Sequence, residues 1–301
     1  MWFRNLQLYR LPAPWRITTD QLAAQLGRLV FRPCGSQDLS SSGWTEPVAG
    51  RGLVHNVEGQ WMIALGVEQR LLPVAVINQV TSERVAEIEA QQGYRPGRKQ
   101  TRELKEAVRQ ELLPRAFTRR KRSFVWIDPK AGWLVIDAAS RKAAEPVIEA
   151  LAKVLDELPL KLPNTRRSPA AAMTEWLAAN EAPGAFTIDQ DCELRSVTEE
   201  KSAVRYVRHS LDGSEVRDHI TAGKLATRLA LTYDDRISIV LTEQLEIKRL
   251  AFLDVVRESA PNANAINAEE QFDADIALMT GELRRLIPAL MAALGGEEET
   301  V

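Results

Sequence analysis

The order of apolar and polar residues near the start of the chain predicts a strand followed by a helix. Apolar side chains alternate with polar ones over residues 2–11, as in a half-buried strand. Thr19 fits a helix N-cap, and Leu22 and Leu26 belong to an apolar stripe over residues 21–30. A strand and a short amphipathic helix are therefore expected to open the fold.

Apolar runs that flank turn residues predict several hairpins further along the chain. Glu58-Gly59 separates two such runs, and a second turn lies at residues 128–132. The last third contains three runs with the spacing of antiparallel strands. The predicted strands lie at residues 53–57, 61–67, 124–127, 133–137, 186–188, 193–197, 204–208, 225–232, 236–242 and 247–252.

Helical spacing predicts an αα-hairpin in the first half of the chain. Pro73 begins a helical stretch for which Gly93 is a suitable C-cap. A second helix is expected over residues 98–113 and ends before Pro114. Further helices are predicted at residues 140–158, 173–179, 214–222 and 269–294. Hairpins beside helices favour an α+β fold over a parallel βαβ fold.

These elements divide the chain into regions. The predicted central body combines residues 1–71 with residues 181–301. A helical tip is expected at residues 72–117, and a hairpin-helix base at residues 118–180.

The composition is that of an ordinary globular protein. The 301 residues are 45% apolar and 27% charged. Cys34 and Cys192 are too few for a disulfide framework and indicate reduced thiols. The N-terminus has Arg4 in its short apolar run and no cleavage site, and no run approaches the ~18 apolar residues of a membrane span. We therefore expect a cytoplasmic protein without a membrane partner.

Positive charge is concentrated in one stretch. Residues 95–122 contain eleven Lys or Arg and three Glu, a net charge of +8, whereas the whole chain is at −2. Such concentration is typical of a surface that binds a polyanion, most often nucleic acid. Charge alone does not distinguish DNA from RNA.

Helical geometry orders part of this stretch. Arg98, Arg102, Lys105 and Arg109 are spaced to fall within an arc of about 60° on a helix. The apolar stripe of the same helix consists of Leu104, Val108 and Leu112. Cations that follow a phosphate backbone give salt-dependent binding without sequence preference. The alternative is a solvated helix with ion pairs such as those of Glu106, although three Glu cannot neutralise eleven cations.

Two other basic groups have less specific patterns. The run at residues 119–122 resembles a nuclear-localisation cluster, could mark a strand entrance, and is favoured here as an extension of the positive surface. Phe117 could stack on a base, fill a partner's pocket or lie in the core, and the residues alone favour the core. A second candidate site is residues 204–209, followed by Lys224 and Arg228.

Motifs for catalysis are missing. The chain has neither a P-loop nor a GxSxG motif, and its three histidines and two cysteines lie far apart in sequence. Asp273, Asp275 and Glu282 could chelate a metal, but acidic residues early in a helix more often favour its macrodipole. We therefore expect a protein that is not an enzyme, with no metal and no cofactor.

Several segments resemble the bacterial recombination-associated protein RdgC family. They extend from the first residues to the last helix and cover essentially the whole chain. The segments are WFRNL at 2–6, FRPCGSQD at 31–38, LLPRAF at 112–117, WID at 126–128, TEW at 174–176 and FDADIALMTGEL at 272–283.

The resemblance implies a non-enzymatic, largely sequence-independent DNA-binding protein associated with the nucleoid. It implies U-shaped subunits that close as a ring-shaped homodimer, whose positively charged hole admits duplex DNA and which restrains the RecA recombinase. It makes Phe117 a dimer contact and places basic positions at Arg208 and His209, where Arg208 keeps the charge of the commoner lysine.

Together, these arguments predict phosphate contacts to double-stranded DNA, with single-stranded DNA as a further ligand. The alternatives are a metal-dependent nuclease using Asp273, Asp275 and Glu282, and a module that contacts RecA directly. The predicted DNA-binding residues are Arg98, Arg102, Lys105, Arg109, Arg115, Arg119, Arg120, Lys121, Arg208, Lys224 and Arg228.

Overall fold

Eleven strands form one antiparallel sheet in this computed structural model, which describes residues 1–196, 202–258 and 268–298. The strands are β1 Leu6–Arg10, β2 Ser40–Thr45, β3 His55–Val57, β4 Gln60–Arg70, β5 Thr118–Asp128, β6 Trp133–Asp137, β7 Phe186–Ser196, β8 Ala203–Tyr206, β9 Lys224–Tyr233, β10 Ile237–Thr242 and β11 Ile247–Phe252. Their order is β2-β4-β5-β6-β1-β11-β10-β9-β7-β8, and β3 pairs with β4. The α+β prediction is confirmed.

The described residues also form eight α-helices. They are α1 Thr19–Leu26, α2 Val74–Gln92, α3 Arg98–Leu112, α4 Arg141–Val154, α5 Pro169–Ala179, α6 Ser214–Thr221, α7 Asp254–Arg257 and α8 Ala268–Ala293. One core cluster joins residues of α5, α6 and α8 to β7, β9, β10 and β11. The second core cluster joins α1 and α4 to β4, β5 and β6. Of the residues that the structure describes, none from β7 to β11 belongs to this second cluster.

Strand β1 lies at the centre of the sheet and is buried on both sides. Leu6 and Leu8 belong to the first core cluster, whereas Tyr9 and Leu11 belong to the second. The prediction of a half-buried strand from residue 2 was therefore wrong. β1 is buried on both faces because it pairs with β6 and β11 in the middle of the sheet and is covered by helices on both sides.

Helices α2 and α3 connect the ends of the longest hairpin. Strands β4 and β5 remain paired up to Arg70 and Thr118, and the two helices span the interval between these residues. Gly93 ends α2 in the left-handed region at φ 78°, where its N–H donates to the Glu89 carbonyl. Both helices lie in the stretch where the αα-hairpin was predicted, and Pro114 lies in a short 3₁₀ turn directly after α3.

Several predicted boundaries shift for local reasons. The N-cap of α1 is Thr18, not Thr19, and it forms a capping box with Gln21. The helix ends at Leu26 because a 3₁₀ turn follows. The basic run at residues 119–122 lies inside β5 and not before it.

Strands predicted apart in the second half belong together. The runs at residues 186–188 and 193–197 form one strand, β7, although Val197 lies outside the described residues. The predicted body and base contribute strands to the same sheet, and the proposed region boundaries stay a prediction. Among the residues described, no helix is long and apolar enough to cross a membrane.

Candidate nucleic-acid interface

Helix α3 presents its cations to solvent and its apolar stripe to the protein. Val108 is fully buried, and Leu104 and Leu112 are half-buried. The four predicted cations are all exposed, and these are Arg98, Arg102, Lys105 and Arg109. The sequence therefore placed both stripes of this helix correctly.

Few carboxylates neutralise this stripe. The Glu106 and Arg109 side chains are 3.8 Å apart at their nearest charged atoms, and Glu111 pairs with Arg84 of α2. Among the described residues, Arg98, Arg102 and Lys105 have no ion pair. The alternative of a helix covered by ion pairs therefore does not describe its exposed face.

The basic run of β5 is divided between the two faces of the sheet. Arg120 lies with Nε 3.3 Å from Glu68 Oε1, and its guanidinium is 5.3 Å from the Phe31 ring centroid. The Arg122 guanidinium lies 5.2 Å from the centroid of the Phe124 ring. Side chains alternate along a strand, so the neighbouring cations of the run point the other way. The four residues of this run are Arg119, Arg120, Lys121 and Arg122.

Glu68 anchors Arg120 from a nearly buried position. The backbone N–H of Cys34 donates to its carboxylate at 2.8 Å. This bond, with further hydrogen bonds from Thr118 and Arg120, holds the pKa of Glu68 below its ordinary value. Arg120 is therefore partly neutralised, and we expect it to bind phosphate less readily than the unpaired cations of α3.

Phe117 stands at the junction between the helices and the sheet. Its side chain is 85% exposed, so the interpretation of Phe117 as a core residue was wrong. Its carbonyl accepts a hydrogen bond from the Leu71 N–H at 2.7 Å, which fixes the backbone beneath the ring. Leu71, whose N–H makes this bond, is itself nearly half exposed. The role of Phe117 as a dimer contact stays a prediction.

Arg70 holds this junction together, although nothing in the sequence identified it. Its guanidinium donates to the carbonyls of Leu113 and Ala116, both at 3.1 Å, and to the Gly35 carbonyl at 3.0 Å. Arg115, a predicted DNA contact, is exposed in the same turn. These hydrogen bonds fix the end of α3 and the start of β5 to the last residue of β4.

The basic residues of the second candidate site do not lie together. Lys224 Nζ is 3.2 Å from His219 Nδ1 on α6, whereas Arg228 lies next to Glu193 on the opposite face of β9. Strand β9 contains one extra residue, Thr227, between the positions paired with Glu193 and Leu194. Because of this extra residue, the side chains of Lys224 and Arg228 point to opposite sides of the sheet.

Arg208 and His209 follow β8 on an exposed segment. The Arg208 backbone has φ 52°, and its N–H donates to Asp191 Oδ1 at 2.7 Å. The ring of His209 interacts through Nδ1 with the Ser210 carbonyl at 2.7 Å. Arg208 keeps an exposed side chain without an ion pair in the described structure.

A buried carboxylate organises the open face of the second half of the sheet. Arg205 Nη2 is 2.5 Å from Glu193 Oε2, and Arg195 Nη2 is 2.9 Å from Oε1. Thr227 also donates to Oε1 at 3.0 Å. Burial raises the pKa of Glu193, but hydrogen bonds from Arg205 and Thr227 and the charge of Arg228 outweigh it, so the pKa lies below its ordinary value. Sequence reasoning missed this ionised carboxylate.

Both cysteines are free thiols. Burial raises the pKa of the Cys192 thiol to about 11 and, with the charge of Glu68, also raises that of Cys34. Thiols with raised pKa values are poor nucleophiles.

Each carboxylate of the nuclease alternative interacts with a different partner. Asp273 Oδ1 is 2.5 Å from His55 Nε2, and Asp275 pairs with the amino group of Met1. Glu282 accepts from Arg236 at 2.6 Å. Within the described ranges, no group of three or more His, Cys, Asp or Glu is placed to hold a metal ion.

Comparison with known proteins identifies the family. A family model described as "Putative exonuclease, RdgC" matches residues 1–297. The recombination-associated protein RdgC of Dechloromonas aromatica (strain RCB) is 56% identical over 300 residues, covering 99% of this chain and 98% of that protein. Those of Janthinobacterium sp. (strain Marseille) and Herminiimonas arsenicoxydans are each 54% identical, covering 99% of both chains. The chain belongs to the RdgC family.

Proposed function

We propose that the protein binds DNA without sequence preference, encircles duplex DNA as a homodimeric ring, and thereby restrains RecA-dependent recombination. The observation that carries the proposal is the stripe of exposed cations on α3, most of them without a carboxylate partner among the described residues. The names of the relatives support a role in recombination.

The contacts in this proposal are to phosphates. Arginine and lysine on a helix face neutralise the DNA backbone without reading bases. The residues proposed for the duplex are Arg98, Arg102, Lys105, Arg109, Arg115, Arg119, Arg120 and Arg208. Because this binding is electrostatic, single-stranded DNA is a further ligand of the same surface, and the protein associates with the nucleoid.

Salt dependence tests the electrostatic part of the proposal. If ~6 phosphates are engaged, the slope of log K against log salt concentration is about −5, with little difference between duplex sequences. The triple variant R102E/K105E/R109E should lose affinity for all duplexes alike. A flat salt response, or a loss confined to one sequence, would contradict the proposal.

Retention on circular DNA tests encirclement. A closed ring should remain on covalently closed circles at salt concentrations at which it slides from linear DNA, and blocking both ends should restore retention. Equal release from circular, linear and end-blocked DNA would refute the ring and leave the electrostatic contacts intact.

Two further candidate functions can be separated from this one. The family description includes an exonuclease, so DNA with Mg²⁺ or Mn²⁺ should be assayed with wild type and with the D273N/D275N/E282Q variant. Cleavage that depends on these carboxylates would favour the enzyme. If the protein contacts RecA directly, it should bind RecA in the absence of DNA. If it acts only by occupying DNA, it should inhibit RecA only when both proteins bind the same DNA molecule.

A further inference from the structure

Within the part of the chain that the structure describes, no helical layer covers one face of the second half of the sheet. Apart from Ala230, the buried apolar residues of β7, β9, β10 and β11 belong to the core cluster that contains α5, α6 and α8. On the opposite face lie two adjoining cavities of about 320 and 240 Å³, which share Glu193, Arg228 and Lys248. The two cavities therefore form one groove across the strands.

Cations outnumber anions in this groove. Its lining contains seven Arg or Lys side chains and four Asp or Glu side chains. The sequence did not reveal this excess because these charged residues come from five separate segments of the chain.

Most of the carboxylates in the groove are already engaged. Glu193 binds Arg195 and Arg205, and Asp191 binds Arg249 at 2.7 Å. Glu246 binds Lys248 at 2.9 Å and also accepts the Arg141 N–H at the start of α4. These pairs orient the cations in the groove and reduce the negative charge that could neutralise others.

Arg228 is left without a direct partner. Its side chain is exposed, and it makes no hydrogen bond or ion pair to any described residue. Its guanidinium lies on the wall shared by both cavities, next to the Glu193 carboxylate and its two bound arginines. An arginine held among other cations gains most from an anion that accepts several hydrogen bonds.

We propose that this groove is a binding site for a phosphate monoester, with Arg228 as the principal contact and Arg205 beside it. A monoester carries a charge of about −1.5 to −2 and three acceptor oxygens, whereas a bridging phosphodiester carries one charge and two free oxygens. The proposal rests on nucleic acid as the ligand of the protein, because one source of such a group is the terminal phosphate of a DNA strand. A free nucleotide is the other source.

The test compares duplexes that differ only in their 5′ ends. Full-length protein should bind a short duplex with 5′-phosphates about tenfold more tightly than the same duplex with 5′-hydroxyls, the value of one charge-assisted contact. R228Q should abolish this difference. R16Q, which removes an exposed arginine outside the groove, should retain it.

AMP distinguishes the two sources. If AMP binds in an Arg228-dependent manner and the two duplexes bind equally, the ligand is a free nucleotide. If the duplexes differ and AMP does not compete, the ligand is a DNA end. Binding of neither group with a dependence on Arg228 would overturn the proposal.

The α3 variant separates this proposal from the proposed function. R102E/K105E/R109E should lose both duplexes and keep AMP binding, because these substitutions lie outside the groove. Retention of both duplexes by this variant would refute binding through α3 and leave the result for Arg228 unaffected.

Discussion

Truncation of Phe117 should weaken the proposed dimer without destabilising the subunit. Because the side chain is 85% exposed in the single chain, F117A removes few intramolecular contacts and should change the free energy of unfolding by less than about 0.5 kcal/mol. Burial of a phenylalanine side chain in an interface is worth about 1.5–3 kcal/mol. A two-fold axis uses the residue twice. The predicted loss is then about 3–6 kcal/mol, or roughly 10² to 10⁴ in the dimer dissociation constant.

Sedimentation equilibrium gives the dissociation constant, and thermal unfolding of the same samples reports stability. L162A is the matched control, since Leu162 is 50% exposed and lies outside the α2–α3 region. An unchanged dissociation constant for F117A would refute the role of Phe117 in the dimer. A large loss of subunit stability would refute the reasoning from its exposure.

Three further substitutions test the structure itself. V108A removes a fully buried side chain and should lower the free energy of unfolding by about 2 kcal/mol, measured by urea denaturation. G43A places a Cβ 2.5 Å from the Phe31 backbone nitrogen and should cost at least about 2 kcal/mol, whereas G27A, with nothing within 4 Å, should be neutral or slightly stabilising. E193Q should lower the free energy of unfolding near neutral pH, because the variant lacks the stabilisation that accompanies the lowered pKa of Glu193. That contribution is complete above the ordinary pKa of about 4.3 and disappears as the pH falls through the folded value, so wild type and variant should converge in acid.

Local signals in the sequence were sufficient for the helical pair. Pro73 marks the start of α2 and Gly93 marks its end. The spacing of apolar and basic residues determines which side of α3 faces the protein. Such signals act within a few residues and do not depend on the remainder of the fold. For the same reason, the capped start of α4 at Ser140 was predicted correctly.

Features that depend on the sheet order could not be predicted in this way. The burial of β1 on both faces follows from its neighbours and the helices above and below them. The ion pair of Glu193 with Arg205, and the position of Arg228 opposite Glu193, depend on the register of three strands. A single extra residue in β9 separates Lys224 from Arg228, although simple alternation would place both on one side.

The concentration of positive charge in the sequence also differs from its distribution on the molecule. Residues 95–122 form two separate elements, and the cations of β5 are divided between two faces, one of which pairs with Glu68. The open groove near Arg228 gathers seven cations and four carboxylates from segments whose sequences show no concentration of positive charge. Because a charge acts through space and not along the chain, the exposed cations of α3 and those of the groove must each be tested as a binding surface. Their independent response to the α3 and Arg228 substitutions decides whether DNA binding uses one of them or both.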